Sequence, residues 1–84
     1  MRLIGLALAL SVAAPARAED PRAREEAQAL FREGVARFEQ GDYASALDRF
    51  RAAHSRLPVN KVLLNIGTTL RALGREVEAA RTYE

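Results

Sequence analysis

The residues GVARFEQGDYASALDRF, numbers 34–50, are followed by GTTLRALGREVEAARTY, numbers 67–83, and the two stretches share one pattern. Each begins with Gly, has a second Gly at its eighth position and an Ala at its thirteenth, and ends with an aromatic residue. The offset between them is 33 residues (67 minus 34). A pattern that returns at this period is typical of helix pairs that stack into a solenoid. The sequence therefore predicts an all-α fold in which one helix-pair unit is used about twice.

The first helix is predicted from its end signals and its apolar spacing. Asp20 followed by Pro21 is typical of an N-cap with proline at the first helical position. The helix is expected to run to about Gln40, and Gly41 is expected to end it in the left-handed conformation. Its apolar residues recur at steps of three and four, which indicates one buried stripe. The residues of this stripe are Ala23, Ala27, Leu30, Phe31, Gly34, Val35 and Phe38.

Three further helices complete the predicted architecture. The second is expected from about Ala44 to Arg56, because the residue before Pro58 is pushed out of the helical region. The third is expected from Lys61 to Leu73, with Asn60 as its N-cap, and the fourth begins near Arg75 or Glu76. Gly74 is expected to end the third helix as Gly41 ends the first. The residues predicted to face inward are Ala46, Leu47, Phe50 and Ala53, then Leu63, Ile66, Gly67, Leu70 and Leu73, then Val77, Ala80 and Tyr83.

Small residues indicate where neighbouring helices cross. Larger side chains would force two helix axes beyond the usual separation of about 8 to 10 Å. We therefore expect Gly34 to meet Ala46 at one crossing, and Gly67 to meet Ala79 at the other.

Residues 1–18 have the pattern of an export signal. A basic start at residues 1–2 is followed by an apolar run over residues 3–14, and Ala-Arg-Ala at 16–18 has the form cut by signal peptidase. The predicted mature chain begins at Glu19 and is periplasmic or secreted. Retention as a membrane anchor is the alternative, although the run is shorter than the roughly 20 residues that span a bilayer. The chain contains no cysteine, so a lipoprotein anchor is excluded.

Charge and residue content exclude several classes of function. The chain has 13 basic and 11 acidic residues, but Arg2 and Arg17 lie in the predicted leader, which leaves 11 of each. Basic and acidic residues alternate along the helices, so no nucleic-acid surface is predicted. His54 is the sole histidine, and no cysteine or carboxylate stands at catalytic or metal-ligand spacing from it. We therefore expect no enzymatic activity, no cofactor and no metal.

The order of residues from Leu30 to Pro58 closely resembles the tetratricopeptide repeat. The second copy keeps the pattern from Leu63 but has Glu76 in place of the turn tyrosine, and Arg37 stands where the family usually has an aromatic or apolar residue. The resemblance covers about residues 27–84, or one and two-thirds repeats. The signal pattern and the Arg- and Ala-rich composition suggest that the protein is exported and bacterial. The residues that carry the resemblance in the first copy are Leu30, Gly34, Phe38, Gly41, Asp42, Tyr43, Ala46, Phe50, Ala53 and Pro58.

The resemblance predicts one repeat domain over residues 19–84. Because Glu84 falls inside the fourth helix, we expect either a longer native protein or a last half-repeat that another copy completes. Phe38 is expected either to take over the packing role missing at Arg37 or to face the concave groove.

The resemblance also implies a protein or peptide partner on a concave surface lined by the first helix of each pair. The alternatives are that the apolar members of this surface pack against neighbouring repeats, or that the domain is a structural spacer or oligomerisation module. A clamp for a carboxylate terminus is disfavoured, because Phe31 and Val35 replace two of its polar residues; Asn65 is expected to bond a loop or the adjacent repeat. The predicted partner-binding residues are Gln28, Phe31, Val35, Phe38, Glu39, Lys61, Leu64, Asn65, Thr68 and Arg71.

Overall fold

The computed structural model describes residues 20–84, so the predicted signal peptide at 1–18 lies outside the described residues. The described chain forms four helices: α1 (Pro21–Glu39), α2 (Tyr43–Arg56), α3 (Asn60–Ala72) and α4 (Glu76–Thr82). Helix α2 packs against both α1 and α3, and α3 packs against α4. Residues 20–84 contain no strand, and the predicted all-α arrangement of helix hairpins is confirmed.

The first hairpin is shaped by two acidic caps and one glycine. The Asp20 carboxylate accepts a hydrogen bond from the Arg22 amide at 3.0 Å, which satisfies a free amide of α1. Gly41 has φ +78°, a left-handed conformation that L side chains rarely adopt, and it turns the chain after α1. The Asp42 carboxylate accepts from the Ser45 amide at 3.3 Å. Helix α2 therefore begins at Tyr43, one residue earlier than predicted, because Asp42 caps it.

The prediction of Asn60 as the cap of α3 is wrong. Leu57 and Val59 are both extended, in keeping with the restriction that Pro58 places on the residue before it. Val59 is the N-cap residue, and Asn60 is already the first residue of the helix. An apolar Val59 side chain offers no acceptor, so α3 begins without a side-chain cap. At the other end Gly74 has φ +76°, as predicted.

The core lies where α2 packs between α1 and α3. Every residue of α2 predicted to face inward is buried, whereas Leu63 and Leu73 of α3 are only partly covered. Thr69 was not predicted in the core, yet it is fully buried, and its hydroxyl donates to the Asn65 carbonyl at 2.6 Å. This internal bond satisfies the hydroxyl. The buried hydrophobic cluster consists of Ala46, Leu47, Phe50, Ala53, Val62, Ile66, Leu70 and Ala79.

Helix α4 presents a different face from the one predicted. Val77 is 68% exposed and Ala80 is also exposed, so the prediction that they face inward is wrong. Ala79, the residue predicted to meet Gly67, is buried, and Tyr83, four residues later, lies on the same helical face against α3. Ala79 and Tyr83 repeat Ala46 and Phe50 at the 33-residue offset, so the repeat register and not the local apolar pattern sets the orientation of α4.

Each hairpin is closed by an aromatic ring lying against a glycine. A Cβ atom placed on Gly34 would lie 2.6 Å from two ring carbons of Phe50, and one placed on Gly67 would collide with the Tyr83 ring. The Tyr83 hydroxyl also donates to the Leu64 carbonyl at 3.4 Å. The atoms nearest to an added Cβ at each glycine are therefore ring atoms, and the meetings of Gly34 with Ala46 and of Gly67 with Ala79 stay predictions. Because glycine has no side chain, each ring can occupy the space beside the glycine Cα.

Ion pairs join the two helices of the first hairpin. Arg49 Nε lies 2.9 Å from Glu33 Oε1. This nitrogen is buried and makes no hydrogen bond, so the contact is an ion pair only. Arg56 pairs with Glu26 at 3.5 Å. Both pairs join α2 to α1. Exposed pairs of this kind contribute about 0 to 1 kcal/mol each, so packing dominates the stability.

Two arginines hold Glu78 of α4. Arg75 donates two hydrogen bonds to its carboxylate, at 2.6 and 2.8 Å, and Arg51 of α2 lies 3.7 Å from it. The Arg75 bonds are the main cause that lowers the pKa of Glu78, with smaller effects from nearby arginine charges. This carboxylate therefore links the outer helices of the two hairpins.

We expect Gly34→Ala to destabilise the fold, because the added methyl group must displace the Phe50 ring. Overpacking costs about 1 to 3 kcal/mol, against a gain in helix propensity of about 1 kcal/mol. Urea unfolding followed by circular dichroism gives the free energy of unfolding. A double-mutant cycle with Phe50→Leu is the control, since the cost of Gly34→Ala should shrink when the ring is absent. Equal costs in the two backgrounds would contradict this account.

Candidate functional site

Two adjoining clefts lie along α1 and α3 and together form what we call the α1–α3 groove. The N-terminal cleft has a volume of about 280 Å³, and the C-terminal cleft has a volume of about 350 Å³. The N-terminal cleft is lined by Ala27, Gln28, Phe31, Arg32, Leu57, Val59, Lys61 and Val62. The C-terminal cleft is lined by Val35, Phe38, Glu39, Phe50, Asn65, Thr68 and Thr69.

The groove brings together eight of the ten residues predicted to bind a partner. Leu64 and Arg71 line neither cleft. Leu64 is 56% exposed, and Arg71 lies over the Tyr83 ring with its guanidinium carbon 5.6 Å from the centroid. The binding role of all ten stays a prediction. The eight in the groove are Gln28, Phe31 and Lys61 in the N-terminal cleft, and Val35, Phe38, Glu39, Asn65 and Thr68 in the C-terminal cleft.

Phe31 is the centre of the N-terminal cleft. Its ring lies 5.7 Å from that of Phe50 at an angle of 50°, which packs α1 against α2. On the other side, Lys61 Nζ lies 5.1 Å from the centroid of the Phe31 ring, which places the ammonium of α3 over a side chain of α1. Phe31 is partly buried, so it both packs against the core and lines the cleft.

Phe38 has the same double role in the C-terminal cleft. Its ring meets the Tyr43 ring edge to face, with centroids 4.9 Å apart, and this contact joins the end of α1 to the start of α2. The partly buried ring also lines the cleft beside Val35. Both roles foreseen for Phe38, packing and facing the groove, are therefore present.

The Asn65 side chain of the C-terminal cleft has no hydrogen-bond partner in the described part of the chain. Asn65 was predicted to bond a loop or the adjacent repeat, but within residues 20–84 its amide makes no such hydrogen bond. The only bond at this residue that involves a side chain is the one that its backbone carbonyl accepts from Thr69. Asn65 is partly buried and lines the cleft, so its donors and acceptor are available to a ligand.

Charge is distributed unevenly along the groove. Arg32 and Lys61 are the charged residues of the N-terminal cleft, and Glu39 is the charged residue of the C-terminal cleft. None of the three takes part in an ion pair with residues 20–84, whereas five pairs are formed elsewhere in that part of the chain. The N-terminal cleft is therefore positive and the C-terminal cleft negative.

Sequence reasoning missed several residues of the groove, of which Arg32 and Phe50 matter most. Arg32 lies four residues after Gln28 on α1, so helical spacing would have placed it on the same face. Phe50 was assigned to the core alone, and its ring also reaches the C-terminal cleft. No signal in the sequence shows that one ring serves both.

The arrangement is that of an α-helical repeat domain, in which antiparallel hairpins stack and the first helix of each hairpin lines one surface. Residues 28–58 match the family model of the tetratricopeptide repeat. This segment comprises most of α1 and all of α2, and the first hairpin is therefore similar to a tetratricopeptide repeat. Comparison with curated proteins and with solved structures gave no match.

The matched family indicates a general class for this hairpin. Tetratricopeptide repeats serve as protein–protein interaction modules and are generally non-catalytic scaffolds. Within residues 20–84 no group of three or more acidic, histidine or cysteine side chains could hold a metal ion. In the same residues no helix has both the length and the apolar character needed to cross a membrane.

Proposed function

We propose that the chain binds a peptide segment of another protein in the α1–α3 groove. The observation that carries this proposal is the C-terminal cleft, where the apolar side chains of Val35, Phe38 and Phe50 lie beside a partly buried Asn65 amide without a protein partner. Apolar walls with a few convergent polar groups are typical of binding sites, because the apolar contacts give affinity and the polar groups fix orientation.

The framework of the groove suits this role. Phe31 and Phe38 are held by aromatic contacts at 5.7 and 4.9 Å, so the walls are in place before a partner arrives. A pre-organised site loses less conformational entropy on binding than a flexible one. The backbone N–H and C=O groups of α1 and α3 are hydrogen-bonded within the helices, so side chains make the contacts that recognise the partner.

We expect Thr68→Arg to block the C-terminal cleft. Thr68 is exposed and lines the cleft, so a long side chain there occupies the binding volume without disturbing the core. The test is a positional library of acetylated, amidated decapeptides, with binding to the purified full chain measured by fluorescence anisotropy. Peptides that bind the wild type should bind Thr68→Arg at least about tenfold more weakly, a loss of about 1.4 kcal/mol.

The matched control is Ala80→Arg, which adds the same side chain to an exposed position of α4 outside both clefts. It should leave peptide affinity unchanged, and both variants should unfold within about 0.5 kcal/mol of the wild type. Peptides bound equally by wild type and Thr68→Arg, or a library without any binder, would contradict the proposal.

We further propose that the module belongs to an exported protein of the bacterial cell envelope. The support is the leader pattern of residues 1–18. Expression in a Gram-negative host should give a product in the periplasmic fraction whose N-terminal residue, read by Edman degradation, is Glu19. Ala18→Leu should block the cut, since signal peptidase requires a small residue there. An intact N-terminus at Met1 in the wild type would contradict cleavage.

A spacer or oligomerisation module is the second candidate, and the exposed apolar side chains of α4 favour it. Val77 is 68% and Tyr83 is 42% exposed on the second hairpin. If this surface joins copies, light scattering should show a dimer or larger species that Val77→Asp converts to monomer. The comparison is Ala80→Asp, which adds the same charge to the same helix but replaces a smaller apolar side chain. A monomeric wild type at all concentrations would exclude this role for the surface.

A further inference from the structure

We infer that the α1–α3 groove selects an extended segment of a partner protein in which an acidic and a basic residue stand three positions apart with apolar residues between them. This inference rests on the proposed function, since it names the chemistry of the segment that the groove would bind. It follows from three observations: an unpaired positive end, an unpaired negative end, and the distance between them.

The positive end lies at the N-terminal cleft. Lys61 and Arg32 both line it, and neither has an ion-pair partner within residues 20–84. Lys61 Nζ lies 5.1 Å from the centroid of the Phe31 ring, so one side of the ammonium faces the ring. The ring limits the positions that the ammonium takes up, while its remaining donors stay available. A carboxylate is the complementary group, and the guanidinium of Arg32 adds donors for it.

The negative end lies at the C-terminal cleft. Glu39 is its one charged residue and has no ion-pair partner in the part of the chain that the structure describes. Arg37, two residues earlier, is 3.9 Å from Asp42 and so is paired elsewhere. A lysine or arginine side chain of the partner is the group that complements Glu39.

The distance between the ends sets the spacing in the partner. Phe31 and Phe38 on α1 are seven residues apart, as are Lys61 and Thr68 on α3. At a rise of about 1.5 Å per residue this separates the two clefts by about 10 Å along the helices. An extended chain in the polyproline II conformation rises about 3.1 Å per residue and repeats its side-chain direction every three residues, so three positions cover this length and keep both charged side chains on the face toward the groove. A helical segment would need about seven residues for the same distance.

The middle of the groove favours an extended segment with apolar side chains. Val35 and the Phe50 ring supply apolar surface, and the Asn65 amide supplies both donors and an acceptor. The backbone of an extended segment has free N–H and C=O groups that match such an amide, whereas those of a helix are used internally. The observations therefore favour an extended partner.

The test uses the purified full chain and a fluorescein-labelled, acetylated and amidated peptide with glutamate, two leucines and arginine in succession. Anisotropy titrations give its Kd. A peptide with both charged residues changed to glutamine is expected to bind roughly threefold to tenfold more weakly, the range expected for losing two exposed ion pairs. A peptide with six leucines between the charges should show the same loss. The affinity advantage should shrink at high salt.

Charge reversal in the protein identifies which end meets which group. The Glu39→Lys variant should bind the original peptide roughly threefold to tenfold more weakly than the wild type does. It should bind a peptide with glutamate in place of the arginine more tightly than the wild type does. The Lys61→Glu variant should likewise bind the original peptide more weakly, and it should bind a peptide with lysine in place of the glutamate more tightly than the wild type does. Glu76→Lys, an exposed change on α4 outside both clefts, should leave every affinity unchanged.

The outcomes separate this inference from the proposed function. If charged and neutral peptides bind equally and Thr68→Arg abolishes both, the groove binds peptide and the charge pattern is wrong. If the designed peptides fail while library peptides bind, the inference is overturned and the proposed function stands. If neither set binds, both are overturned. If Glu39→Lys instead dissolves a dimer seen by light scattering, a second copy occupies the groove and the inference is overturned.

Discussion

The contact between the Phe50 ring and the Cα of Gly34 holds the first hairpin, and the rest of the structure depends on it. The ring occupies the space that a side chain at Gly34 would need, which lets α2 lie close to α1. With α2 in this position, its opposite side packs against α3, and the buried cluster forms between the helices. The second hairpin uses the same contact through Tyr83 and Gly67. The same contact of a ring with a glycine therefore sets the helix spacing within each hairpin.

The groove is a consequence of this stacking. Because α2 lies behind α1 and α3, the facing sides of these two helices are left without a third helix between them, and the clefts form there. The outer sides carry the ion pairs, among them Arg49 with Glu33 and Arg51 with Glu78. Lys61 and Glu39 in the groove take no part in an ion pair with residues 20–84. The groove therefore carries unpaired charges of both signs.

The sequence predicted the helices and most of the core because glycine, proline and the apolar spacing act locally. Gly41 and Gly74 both take the left-handed conformation where α1 and α3 end, and the buried residues of α2 recur at helical spacing. The face of α4 was predicted wrongly, since seven residues fit more than one apolar stripe and the tertiary register at Ala79 and Tyr83 decided.

Features that depend on packing between helices were harder to predict. The sequence placed eight groove residues on the correct helices, but it did not show that the Asn65 amide would lack a partner or that Phe50 would reach the cleft. Both depend on distances between elements that are far apart in the chain. Local patterns therefore predicted the elements, and only the assembled helices revealed the chemistry of the groove.

Phe50 belongs both to the hairpin contact and to the wall of the C-terminal cleft. Folding and ligand binding are therefore thermodynamically linked through one side chain. A domain of this size buries only about 60% of its unfolded surface and has little stability in reserve. A ligand in the C-terminal cleft binds the folded state and not the unfolded one, so it raises the melting temperature in proportion to the logarithm of its concentration above Kd. The occupied groove would then act as an additional part of the hydrophobic core.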